Sequence, residues 1–240
     1  MMAVDFHSHI LPGVDDGSHS ISESLEMLRC CAQMGIQNVV LTPHFYPDRD
    51  HPDRFLSRRD AAFKTLKGAA AEEENLPQLI LGAELHYFPN MSSSDILPQL
   101  AIGGGRYVLV EMPMCRWTDR MYRELEKIWE NQGLIPVIAH LDRYLTPFTR
   151  RKVLRRLSEM RVLVQANGSF FLENRTAGLA MRMLAHDQID LLGSDCHNLS
   201  NRKPNLGPVR ERIRARLGEE ALERIARNEA MVLTGEGRSL

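Results

Sequence analysis

Short apolar runs that each end in a histidine, aspartate or glutamate recur along the chain and constrain its fold most strongly. The first run leads into DFHSH at residues 5–9, and five later runs end in the same kinds of residue. The later runs end at His44, Glu84, Glu111, His140 and Asp195. A polar residue closing one strand is common, but six coincidences in one chain favour a shared functional edge.

Segments of helical character separate these apolar runs. Near-continuous apolar strands between helices are typical of a parallel sheet that is buried on both faces. We expect seven strands, at residues 3–7, 38–42, 78–81, 107–111, 135–139, 162–167 and 190–193. We expect helices near residues 20–35, 52–75, 94–101, 118–132, 147–160 and 175–186, and two more from residue 207 onward.

Seven β–α units in 240 residues fit a closed or distorted barrel better than an open sheet. Barrel enzymes place their chemistry at the carboxyl ends of the strands, which is where the polar residues fall. A doubly wound sheet would gather such residues only near its switch point. The sequence therefore predicts an α/β fold, a TIM-like distorted (β/α)7 barrel that forms a single domain over residues 1–240.

Composition and charge exclude several other classes of protein. The net charge of −1 offers no electrostatic basis for binding nucleic acid. The first residues lack the features of a signal peptide, and no apolar stretch approaches the length of a membrane span. The four cysteines show no CxxC spacing, so neither a disulfide framework nor a zinc knuckle is indicated. We therefore expect a cytoplasmic protein without membrane insertion.

The polar residues at the strand ends are of the kinds that bind divalent metals. His7 and His9 lie one residue apart on a strand, so their side chains point to the same side. An aspartate-rich turn, LPGVDDG at residues 11–17, follows directly. Mixed imidazole and carboxylate ligands suit Mn, Fe or Zn with open coordination positions.

One motif imitates a different chemistry. Cys196 and Arg202 have the C-x5-R spacing of cysteine-dependent phosphatases. However, the segment between them contains no glycine to cradle a phosphate, and Lys203-Pro204 follows the arginine. We therefore interpret Cys196 as a spacer between two metal ligands and not as a nucleophile.

Seven motifs together carry a family resemblance. They are DFHSHILPGVDDG at the start, TPHFYP at 42–47, GAEL at 82–85, VEMP at 110–113, AHLDRY at 139–144, QANGSF at 165–170 and SDCHNLSNR at 194–202. In order and spacing they resemble the polymerase-and-histidinol-phosphatase (PHP) superfamily. More closely, they resemble the bacterial protein-tyrosine phosphatases of capsular and exopolysaccharide synthesis. The resemblance covers essentially the whole chain.

The resemblance implies a barrel that holds three divalent metal ions, Mn or Fe, with Zn as a further candidate. The implied ligands are His7, His9 and Asp195 for the first ion, Glu111 and His140 for the second, and Asp16, His44 and His197 for the third, with Glu84 bridging the first two. Two metals held by a bridging carboxylate are typical of hydrolases that activate water as the nucleophile.

The resemblance also implies the roles of two arginines and the substrate. Arg143 and Arg202 follow ligand residues closely and would bind phosphate, since a guanidinium group matches two phosphate oxygens. The implied reaction is hydrolysis of phosphotyrosine in a protein partner. The implied partner is a bacterial tyrosine kinase that regulates polysaccharide synthesis.

Two other functions stay open on the sequence alone. One is a small-molecule phosphatase of the histidinol-phosphate type. The other is a catalytically silent, metal-containing regulatory module that binds a kinase tail, although such a module would be expected to have lost ligands. The sequence leaves the native metal and the oligomeric state open, a homo-oligomer included.

The remaining polar residues receive weaker assignments. We expect surface roles for four histidines, His19, His51, His86 and His186. We interpret Asp5 as a candidate partner that orients an imidazole, and Asp15 as a turn residue. Gln165 and Asn167 lie in the sixth predicted strand and could line the pocket.

Overall fold

The computed structural model describes residues 2–235, in which strands and helices alternate. The strands are β1 Val4–Ser8, β2 Asn38–Leu41, β3 His44–Phe45, β4 Gln78–Leu81, β5 Glu84–His86, β6 Tyr107–Glu111, β7 Ile135–Ile138, β8 Leu163–Asn167 and β9 Leu191–Gly193. The helices are α1 Ile21–Gln33, α2 Pro52–Ala70, α3 Leu97–Leu100, α4 Asp119–Gln132, α5 Arg150–Ser158, α6 Gly168–Leu172, α7 Ala177–Ala185, α8 Leu206–Leu217 and α9 Glu219–Thr234. Short 3-10 turns occupy Met91–Ser93, Ile102–Gly104 and Leu141–Tyr144.

Two of the longer helices begin at side-chain caps that the sequence supplies. Ser20 precedes α1 and accepts a hydrogen bond from the backbone N–H of Glu23 at 3.2 Å. Thr118 precedes α4 and accepts one from the backbone N–H of Met121. Such caps satisfy N–H groups that have no partner within the helix. Gly133, in the left-handed conformation, ends α4.

Every pairing between the described strands is parallel. One sheet has the order β1-β2-β4 and the other the order β3-β5-β6-β7-β8-β9. The two sheets are joined by the chain itself. β3 follows β2 after only Thr42-Pro43, and β5 follows β4 after only Gly82-Ala83. At the far side, Ser8 pairs in parallel with Cys196, just beyond β9. The parallel sheet therefore curls round, and the fold is α/β.

Most strands are buried, as the sequence predicts, whereas β4 is only partly buried. In β6, Tyr107 and Leu109 belong to one apolar cluster, whereas Val108 and Val110 belong to the other. Alternate side chains of a strand point to opposite faces, so both faces of this strand are packed.

The predicted strands agree with the structure to within a residue or two, but two predicted helices are shorter and three short elements are additional. The helix predicted over residues 94–101 is reduced to the four residues of α3, with 3-10 turns on either side. The helix predicted to residue 75 ends at Ala70, because the acidic residues 72–74 are unfavourable near a helix carboxyl end. The short strands β3 and β5 and the helix α6 were not predicted. None of the helices within residues 2–235 combines the length and apolar character that a bilayer crossing requires.

Candidate metal centre

The carboxyl ends of the strands bring the predicted ligands together around Glu84. One carboxylate oxygen of Glu84, Oε2, lies 2.9 Å from His44 Nδ1, 3.1 Å from His7 Nε2 and 3.4 Å from His9 Nε2. Its other oxygen, Oε1, lies 2.8 Å from His140 Nε2. Glu84 is only 1% exposed, so four imidazoles surround one buried carboxylate.

The first predicted ligand group is compact. The Nε2 atoms of His7 and His9 are 3.1 Å apart, and they lie 3.6 and 3.4 Å from Asp195 Oδ1. All three residues are buried. Their donor atoms lie within 4.8 Å of one another, which is close enough for one ion to contact them all.

The second predicted group lies on the other side of Glu84. Glu111 Oε1 is 3.4 Å from His140 Nε2, and the donor atoms of His44, Glu84 and Glu111 also converge within 4.8 Å. His86 contacts this group, with its Nδ1 atom 3.0 Å from Glu111 Oε2. The expectation of a surface role for His86 is wrong, because the chain forms the further strand β5 after Gly82-Ala83 and His86 lies on it.

The third predicted group is the most exposed of the three. Asp16 Oδ1 lies 3.6 Å from His44 Nε2 and 3.5 Å from His197 Nε2. The donor atoms of these residues and of His9 lie within 4.8 Å of one another. The side chain of Asp16 is 67% exposed, so this group opens to solvent.

The donor set fits divalent metal ions. Buried polar atoms in folded proteins nearly always have hydrogen-bond partners. Several here have none among the described residues, namely Glu84 Oε2, His44 Nδ1, His140 Nδ1 and His197 Nε2. Even the 2.9 Å approach of His44 to Glu84 lacks hydrogen-bond geometry. Imidazoles and carboxylates that converge in this way are the ligands of Mn, Fe and Zn.

The local charges shift the protonation of these groups in the metal-free protein. Burial alone would raise the pKa of Glu84, but its charge interaction with His7 and the hydrogen bond of His140 hold it well below its usual range. Burial would lower the pKa of His140, yet its hydrogen bonds to Glu111 and Glu84 raise it to about 9. The site therefore keeps its central carboxylate ionised and attracts positive charge.

Asp15 orients two ligand residues, a role beyond the turn position that was expected for it. Its Oδ2 atom lies 2.7 Å from His9 Nδ1 and accepts the backbone N–H of His44 at 2.9 Å. Asp5, by contrast, accepts backbone N–H groups of His7 and Ser194 and forms no hydrogen bond to an imidazole of the described residues. Of the two aspartates that flank the ligands, Asp15 is the one that fixes a ring.

The amide side chains at the end of β8 join the same network. Gln165 Oε1 lies 3.1 Å from His7 Nδ1 and accepts the backbone N–H of His140 at 2.6 Å. Asn167 Nδ2 donates to Asp195 Oδ2 at 2.9 Å. Partners of this kind hold metal ligands in a single orientation. Their place directly after an apolar run is the one sequence signal that points to them.

The backbone is unusual at two of the ligand residues. His140 and Asp195 have φ angles of 32° and 53°, in the left-handed region that few residues other than glycine adopt. Such conformations cost on the order of 1–3 kcal/mol and cluster at functional sites. Gly193 provides a further close approach, because a Cβ atom there would lie 2.5 Å from His7 Cβ.

Arg143 and Arg202 both lie at the rim of this centre. Arg143 Nη2 donates to Asp195 Oδ2, and Arg202 Nη2 donates to Asp195 Oδ1 at 2.7 Å. The two side chains are 37% and 35% exposed, so each extends from the buried ligands towards solvent. Guanidinium groups in this position have further N–H donors for an anion that approaches the metals.

Cys196 does not have the surroundings of a nucleophile. It is fully buried between Asp195 and His197. Burial raises the pKa of its thiol well above the usual value, whereas a reactive cysteine needs a lowered pKa and access to substrate.

Comparison with known proteins places the chain in a family. A curled parallel sheet with imidazoles and carboxylates at its carboxyl edge defines a class of metal-dependent hydrolase centres. Residues 3–234 match the family model described as capsular polysaccharide synthesis, CpsB/CapC, and the chain belongs to this family.

Curated relatives agree with this assignment, and a solved structure has a similar fold. The chain is 27% identical to the tyrosine-protein phosphatase CpsB of Streptococcus agalactiae serotype III (strain NEM316), over 90% of this chain and 92% of that protein. It is 28% identical to the tyrosine-protein phosphatase CpsB of Streptococcus pneumoniae, over 90% and 91%. Its fold is similar to a chain from the crystal structures of YwqE from Bacillus subtilis and CpsB from Streptococcus pneumoniae, described as unique metal-dependent tyrosine phosphatases. That match has a TM-score of 0.85 at 22% identity and covers 97% of this chain and 95% of the other.

Proposed function

We propose that this protein is a metal-dependent phosphatase that hydrolyses phosphotyrosine in a protein partner of capsular or exopolysaccharide synthesis. The partner in this proposal is a bacterial tyrosine kinase that regulates that synthesis, and the reaction takes place in the cytoplasm. The observation that carries the proposal is the convergence of four imidazoles on buried Glu84, with two arginines at the rim. Family membership and the names of the relatives support the choice of substrate.

The proposal includes three divalent ions, manganese or iron in preference to zinc, in a closed (β/α)7 barrel that forms one domain. His7, His9 and Asp195 would hold the first ion, with Glu84 bridging it to the second. Closure of the barrel is supported by the pairing of Ser8 with Cys196. It is also supported by the two-residue connections that join β2 to β3 and β4 to β5.

The other two ions would complete the site. Glu111 and His140 would hold the second ion, while Asp16, His44 and His197 would hold the third. His44 lies near Glu84 and Glu111 as well as near Asp16, so it would lie between the second and third ions.

The chain's own residues position the phosphate. Bound divalent ions would supply an activated water and the positive charge that polarises the phosphoryl group. Arg143 and Arg202 would orient the phosphoryl oxygens with their N–H donors and neutralise charge that develops during transfer. A tyrosine phenol has a pKa of about 10, so it leaves without strong help from a general acid.

The test combines metal analysis with substrate choice. Purified protein should contain divalent metal, lose activity on chelation and regain it with Mn. It should hydrolyse a phosphotyrosine peptide far faster than histidinol phosphate. Faster turnover of histidinol phosphate would identify a small-molecule phosphatase instead, and bound metal without turnover of either substrate would identify a silent module.

A matched pair of histidine variants tests the site itself. His140 lies in the centre, whereas His186 is exposed at the end of α7. We expect His140→Ala to lose metal and most of its turnover, while His186→Ala keeps both. A His140→Ala protein with the wild-type metal content and rate would contradict the ligand assignment.

A further inference from the structure

A groove between α5 and α7 is separate from the metal centre and has a distinctive composition. Its volume is about 830 Å³, within the size range of ligand-binding pockets. Apolar side chains of the helices and of the chain around β8 line it, among them Leu154, Leu157, Met160, Leu179 and Met183. Leu154 and Leu179 are only partly buried, so part of this apolar lining is accessible from solvent.

Arginines dominate the polar part of the lining. Arg150, Arg151 and Arg155 come from α5, and Arg182 comes from α7 on the opposite wall. All four are exposed. They form no ion pair or side-chain hydrogen bond with any of residues 2–235. By contrast, exposed Arg214 on α8 is paired with Glu219 at 2.6 Å.

The carboxylates of the same lining are engaged elsewhere. Asp187 forms an ion pair with Arg224, which does not line the groove, at 2.8 Å. Asp190 is buried and accepts the backbone N–H of Val164 at 2.9 Å. The four arginines therefore leave the groove with uncompensated positive charge around an apolar floor.

We infer that this groove, the α5–α7 groove, binds an acidic amphipathic segment of a partner protein. Carboxylates of the segment would pair with the arginines on both walls, and its apolar side chains would cover the floor. Charge complementarity of this kind selects the partner and speeds association. A concave, partly apolar groove suits a helical or extended peptide, which fills it from one side, better than the flat surface of a membrane.

The size of the groove matches such a segment. The nine residues of α5 span roughly 13 Å, so a peptide of about three or four helical turns would cover the wall and both ends. The probe is a fluorescein-labelled peptide of about 14 residues, with leucines on one helical face and glutamates on the other.

Binding is measured by fluorescence anisotropy with the full-length chain. The wild-type protein should bind the acidic peptide, and it should bind a lysine-for-glutamate version far more weakly. Arg151→Glu with Arg155→Glu should weaken binding by about tenfold or more, because two charges facing the peptide are reversed. Arg182→Glu alone, on the other wall, should weaken it by roughly threefold.

The matched control is Arg120→Glu with Arg123→Glu. Both arginines are exposed on α4, outside the groove, and this variant has the same change in net charge. It should bind the peptide as the wild type does. Far-UV circular dichroism and hydrolysis of a small aryl phosphate, unchanged in all variants, would show that the fold and the metal centre are intact.

Three results would overturn the inference. One is equal peptide binding by the α5 and α4 double variants. A second is the absence of any binding to the acidic peptide by the wild type. The third is binding to vesicles containing phosphatidylglycerol that depends on Arg151 and Arg155 while the peptide does not bind, which would identify the groove as a membrane-contacting surface.

Discussion

The two ends of the curled sheet each bury a glutamate, but the two carboxyl groups behave in opposite ways. Glu84 at the carboxyl end and Glu229 of α9, near the start of β1, are both at most 1% exposed. The imidazoles around Glu84 hold its pKa well below the usual range despite burial. Burial raises the pKa of Glu229 to about 8, although Arg210, 3.6 Å away, and a backbone hydrogen bond from Val4 oppose this shift.

The comparison teaches that burial alone does not determine what a carboxyl group does. Glu84 is kept as an anion by convergent imidazoles, which is the state that binds metal ions. Glu229 is protonated near neutral pH, and Asp5 nearby adds a repulsive negative charge. The neighbouring charges, and not the depth, separate a functional carboxylate from a structural one.

The largest expected effect is at Glu84. Glu84→Gln keeps the shape but removes the charge that four imidazoles surround, so bound metal should be lost. Loss of several kcal/mol of transition-state stabilisation corresponds to on the order of a thousandfold or more in kcat/KM. Metal analysis and kinetics on a phosphotyrosine peptide measure both effects. Glu229→Gln is the control and should keep its metal and its rate; equal behaviour of the two variants would abolish the distinction.

The next effect separates the rim of the centre from its ligands. Arg143→Ala and Arg202→Ala should each lower kcat/KM on an aryl phosphate by about a hundredfold, because a charge aimed at the phosphoryl group is removed. Both variants should retain their metals. Lysine should restore activity only in part, since it lacks the planar fork of the guanidinium group. Unchanged kcat/KM in both alanine variants would show that these arginines do not act on the phosphate and are ordinary solvated side chains.

The protonation of Glu229, at the amino end of the sheet, is tested by the pH dependence of the unfolding free energy. Because the pKa of Glu229 is about 8 in the folded protein and near the ordinary value in the unfolded chain, the folded state retains a proton that the unfolded state has lost. This contribution is full below the unfolded pKa and is lost as pH rises through about 8. Between pH 5 and 7 the unfolding free energy of the wild type should therefore fall because of this group. In Glu229→Gln this fall should be smaller by about 2 kcal/mol.

Urea denaturation of the metal-free protein at several pH values measures this difference. Glu220→Gln, an exposed change on the same helix, is the matched control and should follow the wild-type pH profile. If Glu229→Gln also followed the wild-type profile, the buried carboxyl group would already be ionised and the contrast with Glu84 would fail.

The smallest expected effect is at Cys196, which lies among the ligands but should take no part in turnover. Cys196→Ala should leave kcat near the wild-type value. Iodoacetamide should modify exposed Cys115 without loss of activity, because the buried thiol is inaccessible. Inactivation by alkylation that Cys196→Ala prevents, with the metal content intact, would restore a thiol mechanism.

The sequence predicts the strands and the convergence of the ligand residues because both follow from local rules. Apolar runs between helices indicate a buried parallel sheet, and parallel strands bring their carboxyl ends to one edge. This is why His7, Glu84, His140 and Asp195, far apart in the chain, are predictable neighbours. The assignment of each ligand to a particular ion remains a prediction.

The tertiary structure alone decides features that depend on contacts between distant segments. His86 reaches Glu111 because the chain resumes a short strand after Gly82-Ala83, an irregularity without a periodic signal. Asp15 rather than Asp5 fixes an imidazole because a turn brings it to His9. The protonation of Glu229 and the unpaired arginines of the α5–α7 groove likewise depend on which side chains pack nearby. Local pattern therefore determines which residues reach the carboxyl edge, whereas packing determines the charge that each of them meets.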